Sequence, residues 1–194
     1  MKIILASASP RRRELLEMLG VKELEIVPAR GAELAPEGAG PGETVKALSR
    51  AKALEVRERT GAEEKSDVCI LAADTVVYTG GRILGKPHSE AEAKEMLRSL
   101  SGRAHEVYTG ITVCCGEACR SEFEVTEVRF RDLSEEEIDA YVATGEPMDK
   151  AGAYGIQGKA SLFVSGIAGD YFNVVGLPLC RTGEMLKTIG VHLI

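Results

Sequence analysis

Ile3-Ile4-Leu5-Ala6-Ser7-Ala8-Ser9-Pro10-Arg11-Arg12-Arg13 decides the fold class of this chain. Ile3 to Ala6 is an uninterrupted apolar run, the pattern of a short buried strand. Ser9 is an N-cap residue type and Pro10 suits the first helical position, so a helix starts at once. Apolar Leu15, Leu16 and Leu19 follow at helical spacing, and Gly20 ends the run. A strand, a tight turn and a helix within twenty residues predict an α/β or mixed α+β domain.

Working outward, residues 28–42 are rich in proline, glycine and small side chains and predict a long loop. A helix is expected from about Glu43 to Arg59, with Val45, Leu48, Lys52 and Val56 on one face. Val68 to Ala73 reads as a strand covered on both faces, interrupted by Asp74-Thr75 before Val76-Val77-Tyr78. Thr79-Gly80-Gly81-Arg82 turns the chain into a second strand at Ile83-Leu84. Ser89 with Glu92, and Ser134 with Glu137, have the spacing of capping boxes for two further helices. Strands are expected at about His105 to Cys115 and Phe123 to Arg131, the second with a bulge near Thr126-Glu127 where its apolar positions change parity. Short strands and turns then lead from Gly155 to Pro178, and a last helix covers about Leu179 to Ile189. The whole reads as a mixed, twisted sheet flanked by helices.

Composition narrows the function classes. The chain has 194 residues, 44% hydrophobic and 28% charged, within the range of an ordinary globular domain. Thirty acidic against 24 basic residues give a net charge of −6, whose field repels a polyanion, so nucleic acid is not an expected partner. The opening apolar run is too short for a secretory signal, and no segment approaches the ~20 apolar residues of a membrane span. A cytoplasmic protein with no membrane association is the expectation. Five cysteines, Cys69, Cys114, Cys115, Cys119 and Cys180, form an odd set without a C-x-x-C pair and predict buried or strand thiols in a reducing compartment. His88, His105 and His192 are scattered, without the spacing of a metal cluster or a triad.

Several residues carry chemistry. A strand that runs into a helix start offers backbone N–H groups and the positive end of a dipole, a fit for phosphate. Arg11, Arg12 and Arg13 sit where that dipole disfavours cations by ~0.3–1 kcal/mol each unless an anion is present. Successive helical residues diverge by about 100°, so at most two of the three face one ligand; a solvated basic turn is the alternative. Asp74 breaks an apolar strand, and its burial demands a cation, a metal or a hydrogen-bond donor unless it only caps a turn. Lys52 on an apolar stripe either snorkels to water or meets a phosphate. Lys86 is set at a strand end by Gly85 and Pro87. Gly80 to Pro87 has Walker spacing but places proline where a magnesium-binding Ser or Thr must stand, which rules out a P-loop. In Asp149-Lys150-Ala151-Gly152-Ala153-Tyr154-Gly155-Ile156-Gln157-Gly158 the glycines require close backbone approach, to a ligand or to another strand. The Gln157 amide there both donates and accepts.

Leu5-Ala6-Ser7-Ala8-Ser9-Pro10-Arg11-Arg12, Ala73-Asp74-Thr75, Leu84-Gly85-Lys86-Pro87, Leu100-Ser101-Gly102, the Asp149 to Gly158 segment and Asn173-Val174-Val175-Gly176-Leu177-Pro178 together closely resemble the Maf family of nucleoside triphosphate pyrophosphatases. The resemblance runs the length of the chain, in order. It implies a fold like that of the inosine triphosphate pyrophosphatases: one domain over residues 1–194, built of two lobes sharing one sheet with the nucleotide in a central cleft. It implies Asp74 as proton acceptor, with a divalent cation, Mg²⁺ or Mn²⁺, and water attacking the α-phosphorus to release pyrophosphate. Ser7, Arg12, Lys52 and Lys86 match phosphate-binding positions. Arg11, Thr75 and Gln157 match the branch that acts on dTTP and UTP, whereas a related branch acting on 7-methyl-GTP carries Trp at the first of these positions. Arg30-Gly31-Ala32-Glu33 departs from the family's aspartate-then-glutamate, leaving Glu33 with Asp74 as the metal carboxylates. The family is also described as inhibiting septum formation, so the alternative is a nucleotide-binding regulator of cell division. Homodimer formation is left open by the sequence.

Overall fold

The computed structural model describes residues 1–31, 34–65 and 67–193. In chain order the elements are β1 (Lys2–Leu5), α1 (Pro10–Met18), β2 (Leu24–Ile26), α2 (Pro41–Thr60), β3 (Val68–Thr79), β4 (Arg82–Leu84), α3 (Glu90–Leu100), β5 (Ala104–Cys115), β6 (Ala118–Phe130), α4 (Glu135–Val142), β7 (Val164–Ala168), α5 (Tyr171–Val175) and α6 (Leu179–Thr188), with short 3₁₀ turns between. The seven strands form one sheet in the order β2-β1-β3-β5-β6-β7, with β4 paired to β3. β1 pairs in parallel with β2 and β3, while β3–β4 and β6–β7 are antiparallel, so the sheet is mixed, as the alternation of strand and helix signals predicts.

The chain divides into two compact units, Met1–Asp74 with Thr109–Glu124 and Gly176–Ile194, and Thr75–Tyr108 with Val125–Val175. In the first, Ile4, Ala6, Ala53, Val56, Val68, Ile70 and Ala72 form a continuous apolar core between β1, β3 and α2. A Cβ on Gly110 would fall 2.1 Å from the Val45 carbonyl oxygen, so only glycine lets β5 pass this close to the α2 backbone. Ser49 and Thr112 hydroxyls 2.9 Å apart, and Thr112 and Ser121 hydroxyls 2.8 Å apart, then tie α2 to β5 and β5 to β6. The second unit has an aromatic core, in which Phe130 meets Tyr154 and His105 edge to face at 4.8 and 5.0 Å, and Phe163 meets Tyr141 at 5.2 Å.

Local signals behave largely as read. Ser134 and Glu137 make a complete capping box. Ser89 accepts from the Glu92 amide, but the Glu92 carboxylate turns to the His88 amide instead of closing the box. Gly80 and Gly81, at φ 54° and 79°, make the two-residue β3–β4 hairpin, which bears out the rejection of a P-loop.

Three expectations need correction. β3 is continuous through Asp74 and Thr75. It pairs with β1 as far as Leu71 and with β4 from Val77, so Asp74 lies in the stretch between two partners and mimics a strand end without being one. β2 adds a strand where none is expected, because three residues, one half-buried and two exposed, give no periodic signal. Against β7, the pairing of β6 is irregular between Arg129 and Phe130, where Ser165 is an extra residue of β7 and not of β6. Finally, Cys69 is paired with Cys115 and Cys114 with Cys119 as disulfides, leaving Cys180 as the free, exposed thiol. Cα separations of 4.5 and 4.1 Å set each pair side by side on neighbouring strands, a proximity that spacing in sequence does not reveal.

Candidate active site

The first unit carries Ser7, Arg11, Arg12, Lys52 and Asp74. Ser9 is the α1 N-cap, but its side chain makes no capping bond, and Pro10 occupies the first turn as expected. Ser7, 8% exposed, takes the local role instead: its Oγ accepts from the Ser9 amide at 3.2 Å and from Arg12 Nη1 at 3.0 Å. Arg12 Nε donates to the Gly176 carbonyl at 2.8 Å. The Arg12 fork is thus fixed between the first motif and the Asn173 to Pro178 motif, which orients a permanent cation beside the start of α1. Arg11 is half-buried, whereas Arg13 is exposed and donates to Glu17 at 2.7 Å. No acidic residue stands in the first turn of α1, so the helix start keeps its positive character.

Lys52 projects from α2 one turn beyond Ser49, the residue that anchors the helix to β5. Val45, Leu48 and Val56 are buried as the stripe predicts, and Lys52 is neither in water nor in the core. Its Nζ donates to Asp74 Oδ1 at 2.5 Å, with the two side chains 19% and 10% exposed. The ion pair supplies the cation that burial of the carboxylate requires.

The second unit carries Thr75, Lys86 and Gln157. Successive strand residues face opposite ways, so Thr75 presents its hydroxyl on the other face of β3 from the Asp74 carboxylate. Lys86 is exposed, and the preceding Gly85 carbonyl accepts from Gly152 N at 2.9 Å. Gly152, at φ 66°, packs on Val77, since a Cβ there would fall 2.7 Å from Val77 Cγ2. Protein contacts therefore account for the close approach at this glycine. Gln157 stands exposed in a tight turn closed by a Gly158 N to Gly155 O bond of 3.0 Å.

The fold thus joins Ser7 to Arg12 and Lys52 to Asp74, as two hydrogen-bonded pairs. Among the described residues no group of three or more His, Cys, Asp or Glu side chains is placed to hold a metal ion. Asp74 offers carboxylate oxygens, the donor type that hard divalent cations take; Glu33, expected as a second ligand, lies outside the described residues. The Gly176 carbonyl and the Tyr141 and Glu146 side chains have no signature in the sequence, because their partners are set by tertiary contact and not by spacing.

A seven-stranded mixed sheet, an arginine fixed at a helix start and a largely buried ion pair between a lysine and a carboxylate are features that suit a small anionic ligand. The family model described as Maf-like protein matches residues 2–189, and the chain belongs to this family. It is 52% identical over 192 residues, 99% of this chain and 97% of the relative, to a protein named dTTP/UTP pyrophosphatase from Bacillus thuringiensis subsp. konkukian. A relative of the same name from Bacillus anthracis is likewise 52% identical over 192 residues, covering 99% of this chain and 97% of its own. A nucleoside-triphosphatase, dITP/XTP pyrophosphatase, from Mycobacterium abscessus covers 75% of this chain and 95% of its own at a TM-score of 0.42 and 17% identity, a likeness too slight to bear on fold or function. No described helix is long and apolar enough to cross a membrane.

Proposed function

We propose that this protein hydrolyses dTTP and UTP to the monophosphate and pyrophosphate. The observation that carries the reading is the 52% identity, over nearly the whole of both chains, to proteins named for that reaction. The candidate residues are suited to its steps. Ser7, the α1 start and the Arg12 guanidinium offer donors to phosphate oxygens, and Lys52 and Lys86 add cations where charge builds in the transition state. Asp74 is the proton acceptor: its carboxylate takes a proton from water as the oxygen attacks the α-phosphorus and pyrophosphate leaves. Arg11, Thr75 and Gln157 select the base. Uracil and thymine present an acceptor-donor-acceptor edge, which an amide and a hydroxyl complement.

Asp74 fits a hard cation such as Mg²⁺ or Mn²⁺, which commonly takes one or two carboxylates and completes its octahedron with water and substrate phosphates; Glu33 is the second carboxylate proposed. When bound, the ion supplies charge neutralisation on the phosphoryl oxygens. The cytoplasm, where nucleoside triphosphates are made and consumed, is the proposed location; there the two cysteine pairs would be kept as thiols and close only on oxidation.

The test is incubation with Mg²⁺ and a panel of nucleoside triphosphates, with pyrophosphate and orthophosphate measured separately. Pyrophosphate from dTTP and UTP is the expected product, with oxygen from labelled water appearing in the monophosphate. Orthophosphate in its place would move the attack away from the α-phosphorus, and binding without turnover would make the protein a nucleotide-dependent regulator.

A further inference from the structure

Gln157 lies at the apex of a turn whose two ends are gripped by one pair of side chains. Tyr141, on the last turn of α4 and 3% exposed, accepts from Gly155 N at 3.2 Å through its hydroxyl and donates the hydroxyl proton to Glu146 Oε1 at 3.0 Å. The other carboxylate oxygen, Glu146 Oε2, accepts from Lys159 N at 3.2 Å. The amides before and after Gln157 are therefore bound through a single Tyr141–Glu146 relay. The glycines leave room for it: a Cβ on Gly158 would fall 2.0 Å from Glu146 Oε1, and one on Gly155 would fall 2.5 Å from Lys150 Cε, so either would push the end of a side chain aside. Lys150 in turn donates to the Glu146 carbonyl at 2.7 Å, holding the carboxylate's own backbone. Burial raises the Tyr141 phenol further above its ordinary range and so favours the protonated form that donates to Glu146.

We infer that Tyr141 and Glu146 are positioning residues for base selection, holding the Gly155–Lys159 turn in the one shape that presents the Gln157 amide. The inference rests on the proposed reading of Gln157 as a residue that selects the pyrimidine. An exposed glutamine on an unbraced glycine-flanked turn samples many orientations. Bracing removes that freedom before the base arrives, and preorganisation is what turns a donor–acceptor match into discrimination. The two side chains contact backbone, and their effect on substrate passes through Gln157.

Two variants break the relay at different atoms. Tyr141→Phe keeps the ring on Phe163 and removes the hydroxyl. Glu146→Gln keeps the shape but puts an amide NH₂ where one acceptor oxygen was, so it no longer accepts from both Tyr141 and Lys159. Each is compared with the native chain and with Gln157→Ala for kcat and KM on dTTP, UTP and dCTP, and for hydrogen exchange at the Gly155 and Lys159 amides without nucleotide. The expected result is faster exchange at those amides and a roughly tenfold loss of dTTP-over-dCTP discrimination, carried by KM and not kcat, on the scale of one hydrogen bond. If Gln157→Ala loses discrimination while both relay variants keep it, the positioning role is overturned and the reading of Gln157 stands. If Gln157→Ala also keeps it, the base-selecting reading falls and the inference falls with it. Unchanged amide exchange in both relay variants would show that the turn holds its shape without them, and would overturn the inference whatever the kinetics.

Discussion

Lys52 Nζ stands 2.5 Å from Asp74 Oδ1, in an ion pair between α2 and the middle of β3 with little exposure to water on either side. A carboxylate that already has a cation beside it does not need a substrate for its own stability, and Asp74→Asn keeps the shape of the pair while removing the proton acceptor. We expect Asp74→Asn to lower pyrophosphate release from dTTP by at least ~10²–10⁴, the usual contribution of a positioned base, with dTTP binding still measurable by calorimetry. Retained turnover would refute Asp74 as the proton acceptor.

Arg12 joins two distant motifs by donating from Nε to the Gly176 carbonyl and from Nη1 to Ser7 Oγ. A lysine reaches one of these acceptors but lacks the planar fork that serves both. Arg12→Lys is expected to raise KM for dTTP by about tenfold, the scale of one charge-assisted hydrogen bond. Arg13→Lys, at an exposed position paired with Glu17, should change KM less than about twofold, because surface ion pairs contribute ~0–1 kcal/mol. Steady-state kinetics on the two variants side by side check this, and equal effects would dissolve the distinction between the arginines.

What the sequence displays is what the local chain decides. The strand–turn–helix at Ile3 to Arg13, the stripe of α2 and the Ser134–Glu137 box follow from periodicity and capping, and each forms where those signals stand. Asp74 stands out in the sequence because a carboxylate inside an apolar strand needs a partner, but the partner, Lys52 on α2, is set by packing over 22 residues of separation. The continuity of β3 was hidden for a related reason. A strand edge between two successive partners has no signature in composition, and a polar residue there reads as a break. Register is equally silent, so the cysteine pairing and the relay from Tyr141 to Lys159 became visible only once strands and turns lay side by side.

The pairing of Cys69 with Cys115 and of Cys114 with Cys119 predicts one titratable thiol, Cys180, in protein purified without reductant and denatured, against five after reduction. Cross-linking across a sequence separation of 46 should stabilise the fold by up to ~4 kcal/mol through loop closure, so reductant is expected to lower the melting temperature by several degrees. Five free thiols in the unreduced protein, or a melting temperature indifferent to reductant, would contradict the pairing.

His105 gives the fold a dependence on pH. It is 2% exposed, packed edge-on against Phe130, with Nε2 2.8 Å from the Tyr154 hydroxyl and Nδ1 without a hydrogen-bond partner among the described residues. Burial disfavours the charged imidazolium and pushes its pKa down to about 4 from an ordinary 6.5. Between those values the unfolded chain binds a proton that the folded chain does not, so stability rises with pH across the window and is lost as pH falls from about 6.5 towards about 4. Each unit of difference is worth ~1.4 kcal/mol, which sets the scale of the loss at roughly 3 kcal/mol over the whole interval. Replacing the ring with an amide that does not titrate, as His105→Gln, removes this contribution while leaving the carboxylates that also titrate in acid. Denaturant unfolding of the native protein and His105→Gln between pH 7.5 and 4.5 isolates it: the native protein should lose more stability on acidification, the two curves diverging below about pH 6.5. Parallel curves would mean that the imidazole protonates inside the fold without cost, and that the aromatic core around Phe130 and Tyr154 opens to water around it.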